Sequence, residues 1–382
     1  MRNWLLLTFC ALVAGCATPP PPAAPAALFD DSLFSAPSER VSADDIFAVS
    51  EAMVQYLRRP DVAAQLRSKG PQRGLLEALY EKRELKLVYD ASITRTAAQA
   101  FDARSGNCLS LVVMTAAFAR ELGLNVSYRS ALIEDLVTRS NNLLLRSGHV
   151  NVTLSRQFAE VFRPQHDAMS VDFLPPDELR GLRTREITEP TIVAMFMNNR
   201  AVETMLDGRI DDAYAWARGA IRSDPGFVSA LNTLGVIYLR RGALTQASVV
   251  FGHVLERDAA NRAALANLAN TYARMGRIEE STELQRRLAA LEPRPPLQEF
   301  HLGLAAMQKQ DFRAAREHFA REAARGDGNH ELHYWQALAS FKLGDYETAR
   351  RHLKLAVQAS PTIKDRETYS AKLDWLALQA RR

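Results

Sequence analysis

Apolar and polar positions follow two different rules along this chain. In the second half, four sets of positions recur every 34 residues. Small residues stand at Ala201, Gly235, Ala269, Gly303 and Ala337. Gly208, Gly242, Gly276, Gln310 and Gly344 form a second set, and Ala213, Ala247, Ser281, Ala315 and Ala349 a third. Pro225, Ala259, Pro293, Asp327 and Pro361 complete the pattern. Each set has a physical reading. The first small residue lets two helices approach closely. The glycine ends the first helix and permits a turn. The next small residue lies where the second helix crosses the first, and the proline stops that second helix. A fixed period of this length predicts helix pairs stacked into a solenoid. The fourth unit departs from the pattern, with Gln310 at the turn and Glu322 where a small residue is expected. Residues 366–382 read as an amphipathic capping helix built on Tyr369, Leu373, Leu376 and Leu378.

The first half mixes periods. Ser42 is placed to cap a helix through Ile46, Val49, Met53, Val54 and Leu57, stopped by Pro60. Helical stretches follow over 61–69, ended by Gly70, and over 74–82. Residues 85–89 read as a short strand and 94–103 as a loop or short helix. Residues 108–122 form a helix, apolar almost all round at its start and therefore buried, with Gly123 at its end. Strands are expected over 125–133, 149–154 and 170–173, and residues 134–148 read as a polar insertion. Helices followed by hairpin strands predict an α+β domain.

The repeating half resembles the tetratricopeptide repeat, best in the unit carrying Leu231, Leu234, Gly235, Tyr238, Gly242, Ala247 and Phe251. In the first half, Arg104-Ser105-Gly106-Asn107-Cys108-Leu109-Ser110 runs a glycine loop into the head of the buried helix. Free N–H groups and the helix dipole at that point favour an anion. They would lower the thiol pKa and supply oxyanion donors. His149 at a strand start is a candidate base, and Asp172 on another short strand could orient it. His166 is a rival base, and Asn107 and Gln99 are candidate oxyanion helpers. This segment, from about residue 85 to Asp172, resembles the transglutaminase-like cysteine superfamily, and in particular a bacterial branch that joins the domain to tetratricopeptide repeats. The resemblance implies a papain-like α+β fold and a Cys108–His149–Asp172 triad for acyl transfer or amide hydrolysis.

The remaining features place the chain in a compartment. Arg2, the apolar run from Trp4 to Val13 and the sequence Val13-Ala14-Gly15-Cys16 look like a lipoprotein signal, with Cys16 the lipidated residue. Ala17 after that cysteine points to the outer membrane of a Gram-negative envelope, facing the periplasm. Of the three cysteines, Cys10 leaves with the signal and Cys16 carries lipid, so Cys108 has no partner for a disulfide. It is either a buried inert thiol or one kept for chemistry. The expected division is signal peptide 1–15, lipidated cysteine and Pro/Ala tether 16–40, cysteine domain 41–190 and solenoid 191–382. The net charge of +4 is small, and acidic and basic residues interleave, which argues against a nucleic-acid partner. No cofactor is expected. His330 and His333 lack a third ligand at a recognisable spacing and read as solenoid residues. Two functions fit: an enzyme acting on peptide or protein amides recruited by the repeats, or a non-catalytic scaffold whose repeat groove binds a protein or peptide. The membrane enters either reading through the lipid anchor alone.

Overall fold

The computed structural model describes residues 26–81, 85, 87–131, 137–140, 143–146, 149–156, 168–173, 184–292, 297–325 and 329–379. The expected signal peptide, Cys16, His166, Pro293 and Asp327 lie outside the described residues.

Three short helices open the cysteine domain: α1 (Glu51–Arg58), α2 (Pro60–Lys69) and α3 (Pro71–Leu76). The cap of α1 is Ser50, which accepts from the Met53 N–H, and not Ser42. Ile46 is fully buried but sits in a turn, so apolar spacing alone carried the expected helix eight residues too far toward the N-terminus. Pro60 stands in the first turn of α2, where its missing N–H costs nothing. Gly70 closes α2 at φ 82°, a conformation that favours glycine.

A two-residue strand, β1 (Val88–Tyr89), pairs in parallel with β2 (Ser105–Gly106) across helix α4 (Ala97–Ala103). Helix α5 (Cys108–Glu121) is buried from Leu109 to Ala119. It packs on an antiparallel sheet ordered β7 (Met169–Val171), β6 (His149–Arg156), β3 (Leu124–Ala131), β8 (Thr184–Ile187). The register sets Ala131 opposite His149 and Val152 opposite Val171. Val150, Val152 and Leu154 alternate into the core at 0% exposure, as one buried face of a strand requires. Residues expected as a polar insertion contain a hairpin, β4 (Val137–Ser140) with β5 (Leu143–Arg146).

Five helix pairs follow: α6 (Glu189–Leu206) with α7 (Ile210–Ser223), α8 (Val228–Arg241) with α9 (Leu244–Arg257), α10 (Arg262–Arg274) with α11 (Ile278–Leu291), α12 (Gln298–Gln308) with α13 (Phe312–Ala323), and α14 (His330–Lys342) with α15 (Tyr346–Gln358). Helix α16 (Ile363–Gln379) packs on α15. The four turn glycines take φ of 76–82°, and Gln310 takes the same left-handed turn at φ 61°. A methyl group at Gly235 or Gly303 would overlap the ring of Phe251 or Phe319, which explains the small residue at the helix crossing. One continuous core runs from Leu28 through the cysteine domain to Leu284.

Part of the segment expected as a tether is folded. Residues 26–41 lie along the first two helix pairs. Phe34 stacks on Tyr214 with ring centroids 3.8 Å apart. The Asp30 N–H donates to the Tyr238 hydroxyl at 2.8 Å, and Gln246 donates to the Asp30 carboxylate at 3.0 Å. Ser38 donates its N–H and its hydroxyl to Asp212 at 2.5 and 2.6 Å. Trp216 donates to Glu39 at 2.6 Å, and Arg200 pairs with the same carboxylate at 3.1 Å. Among the described residues, no helix is long and apolar enough to cross a membrane.

Candidate functional site

The head of α5 is built from local chemistry. Asn107 is the N-cap, its Oδ1 accepting the Ser110 N–H and hydroxyl at 2.9 Å each. Its amide nitrogen donates to Thr94 Oγ1 at 2.8 Å. Gly106 is required by close approach, because a Cβ there would meet Ser110 Cβ at 2.6 Å. The loop over residues 90–96 closes the other side. The Asp90 N–H donates to Gly106 O at 3.0 Å and the Arg95 N–H to Ser110 Oγ at 2.8 Å.

Cys108, His149 and Asp172 are brought to one end of the sheet, against the head of α5. His149 opens β6, where register with β3 fixes its backbone, and it is 4% exposed. Its Nε2 lies 2.6 Å from Asp172 Oδ1. Asp172 directly follows β7, the strand paired with β6, and Asn151 donates to its other oxygen at 3.4 Å. The N–H of Val150, the residue after His149, lies near enough to the Cys108 thiol to favour its ionised form. With Nε2 committed to Asp172, Nδ1 is the ring nitrogen left to serve a proton transfer.

The thiol differs from expectation. Burial pushes it up to about 11, against the pull of the Val150 and Leu109 N–H groups, and the Asp172 charge adds to the rise. Desolvation outweighs the helix terminus that, from sequence alone, was expected to lower it. Cys108 as a residue keeps partial exposure, while its thiol is desolvated.

The expected oxyanion helpers have other tasks. Asn107 is spent on its cap and on Thr94. Gln99 completes a capping box with Thr96 on an exposed helix start. Donors for an oxyanion would instead be main-chain N–H groups in the first turn of α5, a helix terminus that sequence does reveal. His330 contacts the Tyr369 hydroxyl at 3.1 Å, and His333 contacts His352 at 3.4 Å. No group of three potential metal ligands occurs among the described residues. Thr94 and Glu203, which turn out to border the site, carry no motif in the sequence.

A tetratricopeptide-repeat family model matches residues 300–362. Similar solved structures include a tetratricopeptide-repeat protein from Parabacteroides merdae (19% identity, 48% of this chain and 73% of that one, TM-score 0.26). A thermophilic repeat protein from Thermus thermophilus (17%, 47% and 98%, TM-score 0.30) and MamA (19%, 45% and 93%, TM-score 0.26) are also similar. The search of curated proteins found no match. The family match spans the fourth and fifth helix pairs, and the same period and turn geometry extend back to α6, so residues 300–362 are tetratricopeptide repeats within a longer helical solenoid of the same kind.

Proposed function

We propose that this chain is an envelope protein that holds a protein or peptide partner on its repeats and acts on an amide or acyl group through Cys108, His149 and Asp172. The partner-binding part is supported by the solenoid, an architecture that offers an extended surface to peptides and helices. The chemical part is supported by one observation, the 2.6 Å contact of His149 Nε2 with Asp172 at the strand end whose Val150 N–H and Asp172 charge both act on the Cys108 thiol. Lipid on Cys16 would hold the protein at the outer membrane, facing the periplasm. The transglutaminase-like resemblance of the sequence fits the same residues.

In this reading His149 takes the thiol proton and the sulfur attacks the acyl carbon. His149 then returns the proton to the leaving amine or ammonia. Water or a second amine, deprotonated by His149, attacks the thioester. It releases an acid or a new amide and restores the thiol. Asp172 holds the imidazole and stabilises its charged form.

The test is turnover of an activated ester, p-nitrophenyl acetate, by the full chain, with the acyl group located by peptide mass spectrometry. Acylation at Cys108 followed by turnover is expected. Cys108→Ser abolishes both, and Asp172→Asn lowers turnover by about two to four orders of magnitude. Equal rates for the wild type and Cys108→Ser would remove the chemical part.

A second reading, a scaffold without catalysis, is favoured by the raised thiol and by comparisons that reach the repeats alone. In that case His149 and Asp172 serve as a buried polar pair that fixes the ends of β6 and β7.

A further inference from the structure

We propose that Glu203 is a positioning residue for the cysteine centre. From the first helix of the solenoid it holds the 90–96 loop, and through Thr94 the Asn107 cap, against the head of the helix that begins at Cys108. The proposal rests on the Cys108 site being functional, but its readout is the state of the thiol and does not require turnover.

The contacts form an unbroken series. Glu203 Oε1 accepts the Thr94 N–H at 2.7 Å. Thr94 Oγ1 accepts from Asn107 Nδ2 at 2.8 Å, and Asn107 Oδ1 caps α5 through Ser110. Ser110 Oγ accepts the Arg95 N–H at 2.8 Å, which returns the series to the same loop. Thr94, Asn107 and Ser110 are 2%, 8% and 0% exposed, so water cannot readily replace a broken link. The other oxygen of Glu203 accepts from Arg200 at 2.8 Å, and Arg200 also pairs with Glu39 of the docked N-terminal segment. Burial raises the Glu203 carboxyl against the pull of Thr94 and Arg200, as expected of a group enclosed at a junction.

The far end of the repeats holds the same loop. The Ala91 N–H donates to the carbonyl of Pro361, between α15 and α16, at 2.9 Å. Residues 91 and 94 are thus attached to the two ends of the helix-pair array. A partner that alters the curvature of the array changes the separation of Glu203 and Pro361, and so pulls on the loop that holds Gly106, Asn107 and Ser110 at the head of α5.

The experiment measures iodoacetamide labelling of Cys108 at pH 8, by peptide mass spectrometry on the full chain, with the unfolding midpoint of each variant. Glu203→Ala and Thr94→Val release the loop and loosen the helix head that carries Cys108, which lets water reach the thiol. Labelling is expected to rise by at least about threefold, the change that half a unit of thiol pKa gives when only thiolate reacts. Glu203→Gln and Thr94→Ser keep the acceptor oxygens and label within about twofold of wild type. A staple that only joins the two halves gives a different result: Glu203→Ala lowers the midpoint while all four variants label as wild type does. That overturns the proposal. His149→Ala, run in parallel, separates the two claims. An effect of Glu203→Ala without one of His149→Ala keeps the positioning role and removes the catalytic pair, and the converse removes the positioning role alone.

Discussion

Gln310 shows how much a single residue can be asked to absorb. Its four counterparts are glycines, yet it takes the same left-handed turn at φ 61°. A side chain in that conformation costs roughly 1–2 kcal/mol. Gln310→Gly is therefore expected to stabilise the fold by about 0.5–1 kcal/mol after the added freedom of the unfolded chain is subtracted. Gly303→Ala, which drives a methyl into the Phe319 ring, should destabilise by about 1–3 kcal/mol. Urea midpoints check both, and a loss of stability in Gln310→Gly would contradict the strained-turn reading. The other departure in this unit, Glu322, is fully buried, and its carboxylate accepts the N–H groups of Glu299 and Phe300 at 3.0 and 3.3 Å. The residue types were legible as departures. Their compensation was not, because it depends on a dihedral angle and on a contact to the preceding helix.

At the scale of elements, periodicity succeeded where one face is buried and failed where the chain docks without regular structure. The cysteine helix and the strand at His149 begin at the expected residue, because a glycine loop and a hydrophobic alternation mark them. The segment 26–41 carries no period, and its Pro/Ala-rich approach reads as tether, yet its aromatic and acidic side chains fit the first two repeats. Its hold includes Asp212. Burial alone would raise that carboxyl, but the Ser38 hydroxyl and N–H and the Arg209 guanidinium outweigh burial and keep it below its ordinary 3.8. A carboxyl lowered in the folded chain contributes stability above its unfolded value, and the contribution is lost as pH falls through the folded one. Amide hydrogen exchange should therefore show residues 26–41 protected at neutral pH and opening below about pH 4, before the repeat helices. Protection that persists to the pH at which the repeats unfold would contradict this.

For the whole molecule, the two halves were legible as separate units and their junction was not. The repeat period, the Cys–His–Asp order and the glycine loop are properties of sequence. The contacts of Glu203 with Thr94 and of Pro361 with Ala91 join residues more than one hundred positions apart and have no local signature. Nor does sequence reveal the balance at Cys108, where the helix terminus and desolvation act in opposite directions. That balance is where the central claim stands or falls. The deciding measurement is the pH profile of iodoacetamide labelling at Cys108 in the wild type and in His149→Ala. A base that takes the thiol proton makes the wild type label faster than His149→Ala at neutral pH, although the burial that raises the thiol to about 11 keeps both rates climbing with pH. Two superimposed profiles would contradict an activated pair and leave the protein as a partner-binding scaffold.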